Sequence, residues 1–494
     1  MRVVNQQNEG ATGSATPAVR WRRVPPLRVP IRRRVPPRRL TSAPAILLGL
    51  FLLLNVSGGV LLCLPFAAAD GVRASPQVAF FTAISASTVT GLTQVDTQTF
   101  WSPFGQAVLF VLMLVGGLEF MTAATVLVFF GRRTTVLEEE VYRDTVGSGH
   151  TSSVAKVARN IVLAFMLGYF IGAALIFYQM RSLPDMSLAQ AAWQSLFLSV
   201  SAFNNAGLSI LPNAASGNNL DTLGAYPYFA GVITPMIILG ALGWPLMVDM
   251  RRNWRPGLGR GRLSGLYLFN FSRFTLDTKL VLILTLGLYA LSAAAFLFAE
   301  WNGVLAGHSL LGKAGSSIFH GASGRTAGFA ALDWSGVRDF TLLVYGGLMF
   351  IGGSTASVAG GIKVNTVAVL LAAARSAALR HPRTEVFRRE IGAALVARAL
   401  MIALIAVAYL GVVVPILTYT DPHLNFEKLM FEAVSAFGTN GMSTGVSADL
   451  SLAGSIIFMV TMLAGRIGPL TLVMLLAPRE EASYRYPEEP VRIG

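Results

Sequence analysis

AISASTVTGLT (83–93), SVSAFNNAGLS (199–209), HGASGRTAGFA (320–330) and AVSAFGTNGMS (433–443) are four versions of one pattern. Each sets a glycine after a small or amide residue and a large apolar residue after the glycine. The glycines are Gly91, Gly207, Gly328 and Gly441, at intervals of 116, 121 and 113 residues. Six residues earlier stand Ser85, Ser201, Ala322 and Ser435, followed by Ala86, Ala202, Ser323 and Ala436. Agreement in several columns at a near-constant period marks an internal repeat. Glycines that merely allow close helix packing are the plainer alternative, but packing alone does not put four in register.

Each pattern closes a short apolar run, near 77–88, 189–203, 313–324 and 425–437. Longer runs flank them near 45–66, 103–130, 157–178, 226–250, 278–299, 340–352, 393–418 and 452–477. A bilayer core of about 30 Å takes about 20 apolar residues in helix, whereas runs of about 10–14 suit re-entrant segments. The order long, short, long, four times over, predicts an all-α membrane protein. Eight transmembrane helices and four re-entrant pore helices form four pseudo-symmetric helix–pore loop–helix units around one central pore. The units span 45–131, 155–252, 275–375 (its second helix broken) and 390–478, between a basic tail, 1–44, and a C-terminal tail, 479–494.

Composition agrees with a membrane protein. Of 494 residues, 53% are hydrophobic and 13% charged, and the mean hydropathy is +0.59, so water cannot solvate most of the chain. Cys63 is the single cysteine, which excludes disulfide scaffolds and cysteine-type zinc sites. The five histidines form no ligand motif, and the chain has no phosphate-binding GxxxxGK[ST] loop. The net charge of +14 is uneven: residues 1–45 hold ten arginines and one acid, Glu9. This Pro/Arg-rich stretch reads as a disordered cytoplasmic tail against anionic lipid rather than as a nucleic-acid arm.

Arginine sets the topology. The inter-unit segments carry Arg132, Arg133 and Arg143; Arg251, Arg252, Arg255, Arg260 and Arg262; and Arg375, Arg380, Arg383, Arg388 and Arg389. The segments around the short runs are poor in basic residues and hold Asp96, Asp221, Glu300, Asp333, Asp421 and Asp449. The excess of positive charge puts the inter-unit loops and both termini in the cytoplasm, so the short runs dip in from outside a cell membrane.

Non-helical backbone at membrane depth needs protein or a watery cavity around it. Four glycine-containing segments around one axis meet that need, and rings of backbone carbonyls replace the hydration shell of potassium. Glycine accepts the positive φ that such a segment requires. The helix C-termini bring partial negative charge toward a cation. The candidate ion-binding stretches are Thr88-Val89-Thr90-Gly91, Asn204-Asn205-Ala206-Gly207, Arg325-Thr326-Ala327-Gly328 and Gly438-Thr439-Asn440-Gly441.

TVTGL, NNAGL, RTAGF and GTNGM resemble the four pore motifs of the Trk/Ktr/HKT potassium-transporter superfamily, over roughly residues 45–478. MFIGGSTASVAGGIK (349–363) and LAGRIGPLTL (463–472) fit as well, and eight spans resemble the KtrB-type membrane subunit more than the TrkH type. The resemblance implies potassium uptake by a homodimer with one pore per subunit, above a cytoplasmic ring of nucleotide-binding regulatory subunits. The transported ion is then potassium, with sodium open as a second, and nucleotide acts only through the partner. Two residues depart from the family pattern. Asn440 replaces a small apolar residue and either alters the packing of the fourth segment or adds a polar contact near the ion path. Glu119 replaces a glycine and is either functional within the span or paired with an arginine such as Arg132 at its cytoplasmic end.

The run after residue 340 is broken by Gly352-Gly353-Ser354-Thr355-Ala356-Ser357-Val358-Ala359-Gly360-Gly361. Each glycine costs a helix about 1 kcal/mol against alanine. The stretch reads as a plain kink or as an intramembrane loop able to move aside; the resemblance implies the loop. Lys363, after the second glycine pair, reads as its anchor at the cytoplasmic end. Arg466 lies in the last apolar run, where a central arginine costs about 2.5–3.5 kcal/mol and so faces a cavity or a partner. In the family this position restricts cations below the filter; the alternative ties it to a carboxylate such as Glu119 or Asp249. The expected function is potassium uptake without covalent chemistry or a nucleic-acid partner. A less selective potassium/sodium transporter and an ion-coupled secondary transporter remain the alternatives; the latter needs inverted repeats, whereas these all run the same way.

Overall fold

A computed structural model describes residues 43–129, 154–181, 186–211, 227–253 and 271–468. Both tails up to Ser42 and after Gly468, the segment with Arg132, Arg133 and Arg143, Asp221, and the segment with Arg255, Arg260 and Arg262 lie outside the described residues. The chain is overwhelmingly helical. Its helices are α1 (Ala43–Leu62), α2 (Pro76–Ser87), α3 (Pro103–Phe129), α4 (Val154–Met180), α5 (Leu188–Phe203), α6 (Pro227–Leu242) and α7 (Trp244–Asn253). Then follow α8 (Leu276–Ala299), α9 (Leu310–Thr326), α10 (Asp339–Met349), α11 (Val364–Ala378), α12 (Ala393–Thr420), α13 (Phe426–Gly438) and α14 (Leu452–Ile467). A small antiparallel hairpin, β1 (Thr384–Val386) with β2 (Arg389–Ile391), links α11 to α12.

The short helices α2, α5, α9 and α13 start alike. Ser75, Ser187, Ser309 and Asn425 each accept a backbone N–H from the first turn, and Ser187 completes a capping box with Gln190. These caps satisfy donors that a helix start leaves open. The long helices are apolar on the outside instead. Phe298 is 79% exposed, Phe170 66% and Leu53 63%, while Ser85, Ser199, Ser201, Ser323 and Ser435 are wholly buried. Small polar groups inside and large apolar ones outside suit a lipid surround.

Three described helices are long and apolar enough to cross a membrane: Arg159–Met180, Leu276–Ala299 and Ala393–Thr420. Shorter apolar helices include Leu48–Leu62, Pro103–Leu118, Asp339–Met349, Val364–Ala378 and Leu452–Ile467. The run 226–250, expected as one span, is instead bent by 99° between α6 and α7. The bend falls on Gly243 at φ +78°, where Trp244 N–H donates to Ala356 O and a Cβ would collide with Ser354 Oγ. The helix therefore turns to let the stretch after α10 pack against it.

That stretch, residues 350–363, is the other interruption. It leaves α10 and returns to α11 through a parallel bridge between Ile351 and Ile362. The last helix meets the first short one: Gln77 and Gln94 amides donate to Ser455 Oγ at 2.9 and 2.8 Å, joining the α2 segment to α14.

Candidate functional site: four glycine loops over a buried break

Each short helix ends in a backbone hydrogen bond that turns the chain. Thr90 N–H donates to Ser85 O (2.8 Å), Ala206 to Ser201 O (2.7 Å), Gly328 to Ser323 O (2.9 Å) and Asn440 to Ser435 O (2.9 Å). The third loop is therefore out of register by one residue: Ser323, not Ala322, takes the place of Ser85, Ser201 and Ser435. The cause is visible in the backbone. Val89, Asn205 and Thr439 lie at φ +56°, +57° and +47°, whereas α9 stays helical through Thr326.

All four glycines adopt positive φ: +94° at Gly91, +68° at Gly207, +73° at Gly328 and +89° at Gly441. Their neighbours close a ring. A Cβ on Gly91 would collide with Ala206 O, one on Gly207 with Ala327 O, one on Gly328 with Asn440 O, and one on Gly441 with Thr90 O. Each glycine abuts the carbonyl before the next glycine, and the fourth returns to the first.

The side chains of the candidate stretches brace this ring from behind. Thr88 and Thr90 hydroxyls bond each other at 2.7 Å, and Val89 packs into the core. Asn204 accepts from Tyr169 OH (2.7 Å) and donates to Met113 O (3.2 Å). Asn205, its amide turned to satisfy both ends, donates to Ala202 O and Ile237 O and accepts from Thr326 Oγ1. Ala206, Ala327 and Gly438 are buried without polar side-chain reach, and a Cβ on Gly438 would press on Met349 O. Asn440 donates to Ser323 O (3.3 Å) and accepts from Met442 N–H (3.1 Å). Its amide is thus spent on cross-linking the third and fourth segments.

The break draws contacts from the second, third and fourth units. Gly360 N–H donates to Thr439 Oγ1 (3.0 Å) and Gly361 N–H to Gly465 O (3.3 Å). Ser354 N–H donates to Ala241 O (3.0 Å), Thr355 N–H to Asn365 Oδ1 (2.9 Å) and Val358 N–H to Gly240 O (3.4 Å). Gly353, Ala356, Ser357 and Ala359 complete the stretch, Ala356 at φ +56°. Three cations hold its carbonyls: Arg325 takes Gly352 O (2.9 Å), Lys363 takes Ala359 O (2.5 Å), and Arg466 takes Val358 O and, at 2.5 Å, Gly116 O. Arg466 thus reaches backbone carbonyls. Asp249 is engaged with Asn253 and Thr275, and the Glu119 side chain lies outside the described residues.

Several supporting residues escaped the reading of the sequence. Gly116, Gly240 and Gly465 each press against the last carbonyls of a short helix, Ser87 O, Phe203 O and Phe437 O. Their shared signal is a glycine on the helix that follows each short helix. Glu432, wholly buried on α13, accepts from Ser443 Oγ, Thr444 N–H and Oγ1, Val446 N–H and Ser447 Oγ. It fastens the chain just beyond Gly441.

A family profile described as TrkH, a cation transport protein, matches residues 56–484. The chain is 34% identical over 461 residues to the Ktr system potassium uptake protein B of Bacillus subtilis, covering 92% of this chain and 97% of that protein. It is 31% identical over 474 residues to the potassium/sodium uptake protein NtpJ of Enterococcus hirae, covering 94% and 98%. The solved structure of the potassium transporter TrkH from Vibrio parahaemolyticus matches with a TM-score of 0.68 over 90% of this chain and 86% of that one, at 17% identity, a likeness of fold.

Proposed function

The chain belongs to the TrkH family of cation transport proteins, and from that premise we propose that it takes up potassium through the ring of four glycine loops. The observation that carries this reading is the cyclic contact of four positive-φ glycines, each against the carbonyl preceding the next. Backbone so arranged offers carbonyl oxygens in place of water, and its bracing side chains keep the opening at one size. The break 350–363 lies beneath as a gate, held by Arg325, Lys363 and Arg466. An inside-negative potential of 100 mV supplies about 2.3 kcal/mol for each inward charge, so the chain needs no covalent step.

The relatives' names support potassium as the ion, and the name of the Enterococcus hirae protein supports sodium as a second ion. The phrase Ktr system supports a further component acting on the gate. We place the chain in the cell membrane with both termini cytoplasmic, as a homodimer whose regulatory ring binds the nucleotide. Rubidium uptake by the purified chain in proteoliposomes, driven by an inside-negative potential, tests the core of this reading. Uptake that external potassium suppresses more than sodium is expected; no uptake by folded protein overturns it.

A further inference from the structure

We propose that Arg325 is a positioning residue that couples the third glycine loop to the stem of the break beneath it, an inference that rests on the uptake reading above. Arg325 lies in the last turn of α9, directly before Thr326, which ends the helix, and Ala327-Gly328. Its side chain is wholly buried. Nη2 donates to Gly352 O at 2.9 Å, and the guanidinium carbon sits 4.8 Å from the centre of the Tyr289 ring. Nε and Nη1 meet no acceptor at bonding geometry among the described residues.

Gly352 is where the break departs and returns: its N–H donates to Ile362 O at 2.9 Å, beside the Ile351–Ile362 bridge. Arg325 therefore grips the stem, whereas Lys363 and Arg466 grip the far carbonyls of Ala359 and Val358. The two grips also come from different places. Arg466 stands on α14, away from the glycine loops in sequence, while Arg325 is continuous with one of them.

Buried polar groups are ordinarily satisfied, and a buried arginine held by one described backbone carbonyl and a ring contact is a poor device for stability. It is a good device for linkage. When the stem moves, the sole backbone acceptor described for Arg325 moves with it, and the backbone that must follow is Thr326-Ala327-Gly328. Thr326 in turn bonds the Asn205 side chain of the second loop. Release of the stem clamp then changes flux and ion preference together.

The test uses the full chain in proteoliposomes, with rubidium flux per folded protein, potassium/sodium preference and thermal stability measured on each preparation. Arg325→Met should raise flux and lower preference, each by about threefold or more, the scale of coupling carried by packed networks. In a background lacking residues 354–359, where the break can no longer close, the flux effect should vanish. Arg325→Lys, which keeps the charge and one donor, should fall between. If Arg325→Met does not fold, Arg325→Lys and Arg325→Gln decide on the same readouts. Unchanged flux and preference per folded protein, or an equal flux effect in the deletion background, would overturn the coupling alone. A native chain that takes up no rubidium would overturn the transport reading, and the coupling with it.

Discussion

At Gly91 the backbone stands at φ +94° with Ala206 O where a Cβ would go. A left-handed conformation costs an L-residue about 1–2 kcal/mol before any collision is counted. Gly91→Ser must therefore push the first and second loops apart and bring a hydroxyl into the gap. A loss of about 1.4 kcal/mol of potassium preference would appear as a tenfold lower potassium/sodium ratio. Reversal potentials in mixed salt measure it, and an unchanged ratio for substitutions at all four glycines would remove the ring from the selection step. That four glycines meet was legible because positive φ with no room for a Cβ suits glycine alone, and glycine recurs in register. The slip in the third loop was not legible, since Ala322 and Ser323 are both small and either fits the column. Arg325 stood among the candidate ion-binding residues, but its bond to Gly352 O was hidden, because a backbone carbonyl acceptor leaves no mark in the sequence. The Asn440 amide, whose role the sequence left between packing and a polar contact near the ion path, bonds Ser323 O and Met442 N–H.

At the scale of helices, the short-run rhythm was readable because apolar length is a bulk property, and each short run does form a capped helix. The bend at Gly243 was not, because the groups that impose it, Ser354 and Ala356, lie more than a hundred residues away. Another long-range tie makes a pH prediction. Asp421, at the C-terminal end of α12, accepts Ser451 N–H and Thr420 Oγ1, both at 2.6 Å, and so pins the start of α14. Burial raises its pKa, but the hydrogen bonds from Thr420 and Ser451 and the neighbouring His423 outweigh burial and hold it below the ordinary carboxylate value. A lowered folded value means stability that is complete above the unfolded pKa of about 3.9 and is lost as pH falls through the folded one. Asp421→Asn should thus cost about 1–3 kcal/mol near neutrality, the penalty for disturbing a buried acceptor. Melting temperatures of native and variant protein should differ by a constant amount from neutral pH down to about 5, then converge below about 4. A gap that is absent at neutral pH, or that persists undiminished in acid, would refute the tie.

Across the whole molecule, Arg466 ties three of the four units together. It belongs to the fourth unit, donates to Val358 O in the break of the third, and donates to Gly116 O in the first. If, as proposed, this charge faces the ion path, it repels an approaching potassium ion, and low surrounding dielectric strengthens that repulsion well beyond its value in water. The same guanidinium also keeps the break in place by its bond to Val358 O. Both effects act in one direction, so Arg466→Gln should raise maximal rubidium flux several-fold, and Arg466→Lys should raise it less because the charge stays while the planar fork is lost. The contacts set a cost as well. Losing a charged donor leaves the carbonyls of Val358 and Gly116 in need of partners, at about 1–3 kcal/mol for each that finds none. Faster flux therefore comes with a lower melting temperature, and only flux per folded protein separates the two. A destabilised variant that conducts no faster would make Arg466 a strut between units rather than a barrier. A faster one would mean that the charge and the bonds of a single arginine close the path from three sides of the repeat at once.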